Sequence, residues 1–567
     1  MFKTLSKDPQ VFIHWDWAQI KPYADDLALR SLSPDTLPEW VMDWSDLNRM
    51  LAEIFARLWV ATTLNTTDLE VKDRFNRFLD GIYTPSLAAN QTLKQKLLDS
   101  DLQPEGFDIP LRNMRVETEI YRDENRSLLA EEKKLANAYD EIIADQTVEW
   151  EGREVTTTQL QPVFLSLDRS KREKAWRVEM QRKLADRQKV NELWSRMMDV
   201  RGKIATQAGF KDYRDYRWKE LLRFDYLPED CEQFHNAIER VVIPAARRIY
   251  EKRQEKMGLS TLRPWDLYVD PLGREPLKPY QTITELEDKV SAIFHKVDPE
   301  LGKYFEIMRG QGLLDLENRK GKAPGAYCCD FDMVMLPFIF ANSVGLHADV
   351  STLLHEGGHA FHVFEEAHLP YYHHLLVGME FAEVASMAME LLASPFLLAS
   401  EGGFYSEKDA ARARIEKLEE DVLFWPYMAV VDAFQHWVYL NHATASDSNH
   451  CDLKWNELWQ RYMIGVDWSG LEDELVTGWQ RKQHIFESAF YYVEYGLASL
   501  GAYQVWANAM KDHKQAVTAY RKALALGGTV SLPKLYETAG VKYAFDAETL
   551  QMAVDLAEEQ IAKLEEV

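Results

Sequence analysis

Apolar residues that recur every three or four positions run through most of this chain and restrict it to a helical fold. The pattern extends over residues 36–230 and again over 350–567, and long charged segments such as 121–144 and 171–205 carry it clearly. This spacing places the apolar side chains on one face of an α-helix. We find no fixed-period repeat and no low-complexity tract. The sequence therefore predicts a mainly α fold.

Two segments depart from helical spacing and predict a minor β component. Apolar and polar side chains alternate in residues 148–155, on both sides of Gly152. This alternation predicts a small hairpin, which must pack on helices to persist. Residues 330–341 are apolar and strand-like and follow a glycine- and proline-rich turn at 321–327, so we expect a strand there. A proline-dense stretch at 263–279 interrupts the helices and predicts a loop or a boundary.

The size and charge of the chain exclude several classes of protein. At about 150 residues per domain, 567 residues predict three or four domain-sized units or one large helical body. The formal net charge of -25 repels phosphate groups, so nucleic acid is not an expected partner. The charge does not attract anionic lipid either. The longest apolar runs, such as 333–341, are far shorter than the ~20 residues of a membrane-spanning helix, so we expect no membrane segment.

Cysteine usage and the first residues indicate a cytoplasmic location. Asp8 and Pro9 interrupt the N-terminal sequence before an apolar signal region forms, so a secretory signal is not expected. The four cysteines show no C-x-x-C spacing. We therefore expect a reducing compartment, with neither a disulfide nor a structural zinc site.

An H-E-x-x-H motif occupies residues 355–359, within a segment of helical spacing. His355 and His359 lie four positions apart, so they share one helix face and both imidazoles can reach one zinc ion at about 2.0–2.1 Å. Glu356 follows the first histidine and would face a zinc-bound water. The motif therefore predicts a catalytic zinc site.

Residues around the motif indicate how its helix begins and packs. Asp349 can cap the N-terminus of a helix that continues to Glu366. Gly357 and Gly358 cost a helix about 1 kcal/mol each relative to alanine. Their presence indicates close approach by another backbone or by a substrate.

A catalytic zinc site needs a third protein ligand besides the two histidines. His362 lies about 10 Å along the helix from His355, too far for one ion to bind both. Position 365 is glutamate, which excludes the three-histidine pattern H-E-x-x-H-x-x-G-x-x-H. A second helix supplies three glutamates on one face, and the central one is the predicted ligand. The flanking two would hold the histidines in place. The three are Glu380, Glu383 and Glu390.

These motifs resemble those of a known family. The sequence His-Glu-Gly-Gly-His-Ala-Phe-His at 355–362, followed by Glu-Val-Ala-Ser at 383–386, resembles the thimet oligopeptidase group, most closely its bacterial oligoendopeptidase F branch. Further matching motifs are Gly-Ala-Tyr-Cys at 325–328, Pro-Phe-Ile-Phe-Ala-Asn at 337–342 and Phe-Tyr-Tyr-Val-Glu-Tyr at 490–495. The resemblance covers roughly residues 200–545.

The resemblance implies a fold, a cofactor and a substrate class. It implies two mainly helical lobes around a deep substrate channel, with a small β element beside the zinc-binding helix. We accordingly expect an N-terminal helical lobe at 1–200 and a catalytic lobe at 201–567. The cofactor would be one zinc ion per chain, and the substrates would be short unstructured peptides. The zinc ligands would be His355, His359 and Glu383, with Glu356 as general base and acid.

Peptide hydrolysis builds negative charge on the carbonyl oxygen, so hydrogen-bond donors are expected opposite the zinc. The candidates are His484, Tyr491, Tyr492 and Tyr495. By the resemblance, Tyr492, Tyr495 and His484 would take this part, with packing in an aromatic core as the alternative. The strand at 330–341 would expose an edge that pairs with an extended peptide, unless it is simply buried.

The sequence thus predicts a zinc metalloendopeptidase that acts on short oligopeptides. Glu356 would take a proton from zinc-bound water and deliver it to the leaving amine. Glu356→Gln should retain the zinc and lose peptide cleavage. A zinc carboxypeptidase or dipeptidase of related fold is the enzymatic alternative, and a non-catalytic peptide-binding protein is the other. The oligomeric state stays open.

Overall fold

A computed structural model of the chain describes residues 2–323 and 325–567 and confirms the mainly α fold. The first helices are α1 (Pro9–Phe12), α2 (Trp17–Leu29), α3 (Leu37–Leu64), α4 (Leu69–Phe78), α5 (Thr84–Asp99), α6 (Asp108–Ile120), α7 (Arg126–Ala144), α8 (Gln161–Phe164), α9 (Arg169–Ala185), α10 (Arg187–Gln207), α11 (Tyr213–Glu220) and α12 (Pro228–Met257). They are followed by α13 (Ile283–Val297), α14 (Pro299–Gly310), α15 (His347–Glu366), α16 (Met379–Ala393), α17 (Glu407–Leu440), α18 (His442–Ala445), α19 (Ser448–Tyr462), α20 (Glu472–Val476), α21 (Gln483–Glu487), α22 (Tyr492–Lys511), α23 (His513–Leu524), α24 (Leu532–Thr538) and α25 (Ala547–Glu565). The strands are β1 (Thr147–Trp150), β2 (Arg153–Thr156), β3 (Leu314–Glu317), β4 (Tyr327–Phe331) and β5 (Leu336–Ser343).

The chain forms two compact units, and each is assembled from three separate segments. Unit 1 consists of the chain up to Glu119, Lys278–Ala410 and Gly501–Tyr543. Unit 2 consists of Ile120–Leu277, Ala411–Leu500 and Ala544–Val567. These units do not coincide with the consecutive segments 1–200 and 201–567 expected from the sequence. Helical periodicity is a local signal, and it does not show which distant segments pack together.

A small three-stranded sheet in unit 1 packs against α15, which carries the H-E-x-x-H motif. The strand order is β3-β5-β4, with β3 parallel and β4 antiparallel to the central strand β5. β5 is central and largely buried, which explains its nearly continuous apolar sequence. The expected β element beside the motif helix is therefore present, and β4 forms an edge of its sheet.

The single strand expected at 330–341 is wrong, because a turn divides this segment into β4 and β5. Met335 has a positive φ of 51° in this turn. The backbone N–H groups of Met333 and Val334 donate to the carboxylate of Glu53 at 2.7 and 3.1 Å. Glu53 lies on α3, so the feature that fixes the turn is remote in sequence from the strand pattern. The turn before β4 includes Pro324, which lies outside the described residues.

Helix α15 begins at His347, two residues before the start expected from Asp349. Asp349 nevertheless stabilises this end of the helix, as predicted. Its Oδ2 atom accepts the backbone N–H groups of Val344, Gly345 and Leu346 at 2.8–2.9 Å. A carboxylate inside the first turn satisfies otherwise unpaired N–H groups and complements the helix dipole.

The predicted hairpin at 148–155 is confirmed in unit 2. β1 pairs with β2 in antiparallel register, with Val148 opposite Val155, and Gly152 lies in the turn at a φ of 78°. Val148 and Trp150 are buried in a cluster that contains Trp176 of α9 and Trp265. The hairpin thus packs on a helix, the support that a two-stranded sheet requires.

In the described part of the chain, none of the helices is both long enough and apolar enough to cross a bilayer.

Candidate metal centre

The three predicted zinc ligands come together in unit 1 at the packing interface of α15 and α16. The Nε2 atoms of His355 and His359 lie 3.5 and 3.7 Å from Oε2 of Glu383. Donor atoms of the three residues all lie within 4.8 Å of one another. A tetrahedral zinc ion with bonds of about 2.0–2.2 Å sets its ligand atoms ~3.3–3.6 Å apart. The spacing of these donors therefore fits one zinc ion.

The exposure of the ligands indicates a centre that is open on one side. The side chains of His355 and His359 keep 25% and 22% of their accessible surface, whereas Glu383 keeps 6%. The carboxylate thus lies at the buried back of the group and the imidazoles reach its accessible side. An open coordination position of this kind distinguishes catalytic from structural zinc sites.

Two further side chains hold the ligands in place. His355 Nδ1 lies 2.8 Å from Oε1 of Glu390, one of the two flanking glutamates predicted for this role. Ser386 donates its hydroxyl to Oε2 of Glu383 at 3.1 Å. Such contacts fix the tautomer of a ligating histidine and the orientation of a ligating carboxylate. The other flanking residue, Glu380, is buried in the first turn of α16, and its backbone carbonyl accepts the hydroxyl of Tyr536.

The pKa values of the three ligands are shifted in different directions by burial and by their mutual contacts. Burial disfavours the His355 cation, but hydrogen bonds to Glu383 and Glu390 outweigh this effect and raise its pKa to about 10. Burial lowers the pKa of His359 to about 4. Burial opposes ionisation of Glu383, yet the neighbouring imidazoles keep its pKa below the ordinary value. A bound cation would satisfy the same carboxylates.

Glu356 lies on α15 beside the first histidine ligand and is 7% exposed. Burial raises its pKa to about 7, against the opposing influence of His355. The backbone of Cys328, on β4, also opposes this rise in the pKa of Glu356. This influence was absent from the sequence reasoning, because a main-chain donor has no side-chain signature.

The two glycines of the motif allow close packing around α15. A Cβ atom on Gly358 would lie 2.4 Å from the backbone oxygen of Ala385 on α16. A Cβ atom on Gly357 would lie 2.4 Å from Cζ of Phe294 on α13. The backbone approach predicted from the sequence is therefore confirmed at Gly358, whereas Gly357 makes room for an aromatic ring.

His362 lies outside the group of converging donors, as its distance along the helix predicted. It is buried, and its Nε2 atom is 3.8 Å from Oε2 of Glu366. Burial lowers its pKa to about 3. The residue is thus neutral at physiological pH and part of the packing behind the motif.

The free edge of β4 lies beside the motif helix. Asp330 is opposite Pro337 of β5, which has no N–H to donate. Backbone groups of antiparallel strands alternate between the two sides, so those of Cys328 and Asp330 face away from β5. β4 is thus an outer strand of this sheet, in contact with α3 and α15.

The predicted donors His484, Tyr491, Tyr492 and Tyr495 form one aromatic cluster, which belongs to unit 2. The ring of His484 lies 5.1 Å from that of Tyr492, which lies 5.7 Å from that of Tyr495. Lys482, which the sequence reasoning missed, places its ammonium group 3.8 Å from the centre of the Tyr492 ring. Burial lowers the pKa of Lys482 to about 8.

Comparison with known proteins identifies the family. The model of peptidase family M3 matches residues 165–554. The chain belongs to peptidase family M3. This membership confirms the resemblance predicted from the sequence and supports the prediction of a peptidase. Oligopeptidase PepF of Bacillus subtilis (strain 168) is 25% identical over 375 residues, which cover 64% of this chain and 52% of that protein. The matched region thus spans about half the length of this relative.

Solved structures match the fold over nearly the whole chain. A structure of PZ peptidase A with inhibitor 2 has a TM-score of 0.88 at 26% identity, and the match covers 100% of this chain and 99% of that one. A crystal structure of oligoendopeptidase-F from Enterococcus faecium matches with a TM-score of 0.61 over 97% of each chain. Its identity is 15%, so this second likeness concerns the fold alone.

Proposed function

We propose that this M3 family member is a zinc-dependent endopeptidase that hydrolyses internal bonds of short peptides. The observation that carries the proposal is the convergence of His355, His359 and Glu383 donor atoms, with a buried glutamate, Glu356, adjacent on the same helix. Two imidazoles, one carboxylate and an accessible side form the donor set of a hydrolytic zinc site. The family match supports the same reaction class.

The metal would be held by His355, His359 and Glu383, one ion at this centre. When bound, zinc supplies Lewis acidity, which polarises a carbonyl group and makes water acidic enough to react near neutral pH. The chain itself orients two of the three ligands, His355 through Glu390 and Glu383 through Ser386.

Glu356 would move the proton. Its pKa of about 7 lies close to physiological pH, where a carboxyl group can both accept and release a proton. The carboxylate takes a proton from the attacking water and returns it to the nitrogen of the scissile bond as that bond breaks.

Substrate binding would use the free edge of β4. Main-chain hydrogen bonds to an extended peptide give affinity with little demand on its side chains. Short unstructured peptides meet this requirement, because a folded protein has few extended segments free to add to a sheet. Tyr492, Tyr495 and His484 are proposed, by the family resemblance, as hydrogen-bond donors to the substrate. A cytoplasmic location is proposed from the cysteine usage.

The test is a digest of peptides blocked at both ends, with and without a chelator, analysed by mass spectrometry. We expect internal cuts that stop with the chelator and return when zinc is added. The same digest includes peptides with free ends. A carboxypeptidase or dipeptidase would shorten only the peptides with free ends and leave the blocked peptides intact. Cleavage that continues in the presence of the chelator would contradict the proposal. The absence of any cleavage would also contradict it and would favour a peptide-binding protein.

A further inference from the structure

Two helices of unit 2 bring four metal-binding side chains to one buried point, and none of the four belongs to the centre described above. Cys231 and His235 lie four positions apart on α12, and Asp432 and His436 lie four positions apart on α17. Each pair therefore shares one helix face. Cys231 and Asp432 are fully buried, and the two histidines are each 4% exposed.

The donor atoms of this group are close enough for a common ligand. A Cys231 sulfur, an Asp432 oxygen and a His436 nitrogen all lie within 4.8 Å of one another. His436 Nε2 is 3.3 Å from Oδ2 of Asp432, a distance typical of two ligands on one tetrahedral zinc ion, ~3.3–3.8 Å. His235 Nε2 lies 2.8 Å from the same oxygen and makes a hydrogen bond to it.

Two polar atoms at the centre of the group have no hydrogen-bond partner in the described structure. They are Oδ1 of Asp432 and Nε2 of His436, whose 3.3 Å approach to Oδ2 of Asp432 lacks hydrogen-bond geometry. Buried polar atoms are almost always hydrogen-bonded, because leaving one unpaired costs about 1–3 kcal/mol. Both atoms belong to side chains more than nine-tenths buried, and both side chains contribute a donor atom to the group formed with Cys231. A cation at this point would satisfy both.

We propose that Cys231, Asp432 and His436 form a second metal site, with His235 holding the Asp432 carboxylate. Thiolate and imidazole donors select zinc or a similar borderline-soft divalent cation over magnesium or calcium. The ligands are buried, in contrast to the partly exposed imidazoles of the first centre, so the ion would join α12 to α17 and would not meet a substrate. The chain would then bind two metal ions, one more than the sequence prediction.

The side chain of Arg214 opposes metal binding at His436. Its Nη1 atom lies 3.4 Å from Nδ1 of His436, and a guanidinium group can only donate. Without metal, Nδ1 is therefore the acceptor and the ring proton is on Nε2. An ion at Nε2 requires this proton on Nδ1, with Arg214 turned away, so the arginine weakens the site. Arg214→Gln, which offers an acceptor to Nδ1, should bind the metal more tightly.

Metal content tests the proposal directly. Four proteins would be loaded with zinc, dialysed and analysed by elemental mass spectrometry. They are wild type, His359→Ala, Cys231→Ser and the double variant. We expect two ions per wild-type chain, one in each single variant and none in the double variant. Cys451→Ser is the matched control: this other buried cysteine of unit 2 directs its thiol to the carbonyl of Ala445. It should retain both ions.

Cobalt gives a readout that the first centre cannot produce, because that centre contains no thiolate. Cobalt-loaded His359→Ala should show thiolate-to-cobalt charge-transfer absorption, and the double variant should not. If Cys231→Ser does not fold, the nearly isosteric variant Asp432→Asn replaces it in these measurements. Asp432→Asn should also lose the ion of the second site. The proposal would be overturned if wild type bound one ion and His359→Ala bound none. It would also be overturned if cobalt-loaded His359→Ala showed no thiolate-to-cobalt absorption band. Loss of peptide cleavage alone would not affect it.

Discussion

The Nδ1 atom of His355 lies 2.8 Å from Oε1 of Glu390, so a ligand of the candidate zinc centre is oriented by a residue 35 positions later. The two residues belong to α15 and α16, whose packing brings all the ligands together. A carboxylate in this position fixes the histidine tautomer and increases the basicity of the coordinating nitrogen.

Glu390→Ala should therefore lower zinc affinity by about 10- to 100-fold, the usual effect of losing such a contact. Glu390→Gln retains an acceptor for Nδ1–H and should lose less. Competition with a chelator of known affinity measures both. Glu407→Ala, at an exposed position in unit 1, is the control and should bind zinc as wild type does. Equal affinities for Glu390→Ala and wild type would show that this contact does not support the metal.

Gly358→Ala should separate α15 from α16. Its Cβ would lie 2.4 Å from a backbone oxygen that cannot move independently of its helix. We expect a loss of about 1–3 kcal/mol in the free energy of unfolding, with weaker zinc binding. Gly310→Ala is the matched control: this helical glycine has no atom within 4 Å of the added Cβ. It should be neutral or stabilising by up to about 1 kcal/mol. Similar denaturation midpoints for the two variants would contradict the packing argument.

Tyr492→Phe and Tyr495→Phe each remove one hydroxyl from the aromatic cluster in unit 2. If these hydroxyls donate to the developing oxyanion, kcat should fall about 10²- to 10³-fold while zinc content stays constant. Steady-state kinetics on one fluorogenic peptide measures this. Tyr268→Phe, which alters a tyrosine of unit 2 that is 63% exposed, should leave kcat unchanged. A fall in stability with no fall in kcat would assign the cluster to packing.

The pKa of Glu366 predicts how stability depends on pH. Burial, reinforced by Asp330 and Asp332, raises this pKa from 4.5 to about 9. Between these values the folded state holds a proton that the unfolded state releases, so the group contributes stability at low pH that is lost as pH rises through about 9.

Glu366→Gln should remove this loss. The variant should become more stable relative to wild type as pH increases from about 4.5 to 9, by up to about 1.4 kcal/mol per pH unit. Urea unfolding across this range tests the prediction, with the exposed residue Glu105 changed to Gln as control. Parallel curves for wild type and Glu366→Gln would show that the carboxyl group does not titrate as described.

The sequence was most informative where the relevant spacing is short. Two histidines four positions apart must share a helix face, and the glutamates of α16 follow the same rule, so Glu383 and Glu390 were found by periodicity. The hairpin around Gly152 was found by alternation. Each of these signals lies within a single secondary-structure element.

Features that depend on distant segments were not predicted. Glu53 divides the apolar segment 330–341 into two strands from a position nearly 280 residues earlier. The influence of Cys328 on the pKa of Glu356 comes from a backbone N–H, a group that every residue except proline has. The group around Asp432 joins residues about 200 positions apart in sequence and mixes ligand types, so cysteine spacing alone gave no indication of it.

The most direct test measures zinc content and cleavage of a blocked peptide on one preparation of Glu356→Gln, beside wild type. The glutamine keeps the shape of the side chain and loses the ability to accept a proton. We predict the same zinc content as wild type and a cleavage rate lower by at least about 10²- to 10⁴-fold, the usual contribution of a general base. Cleavage at the wild-type rate by this variant would contradict the account.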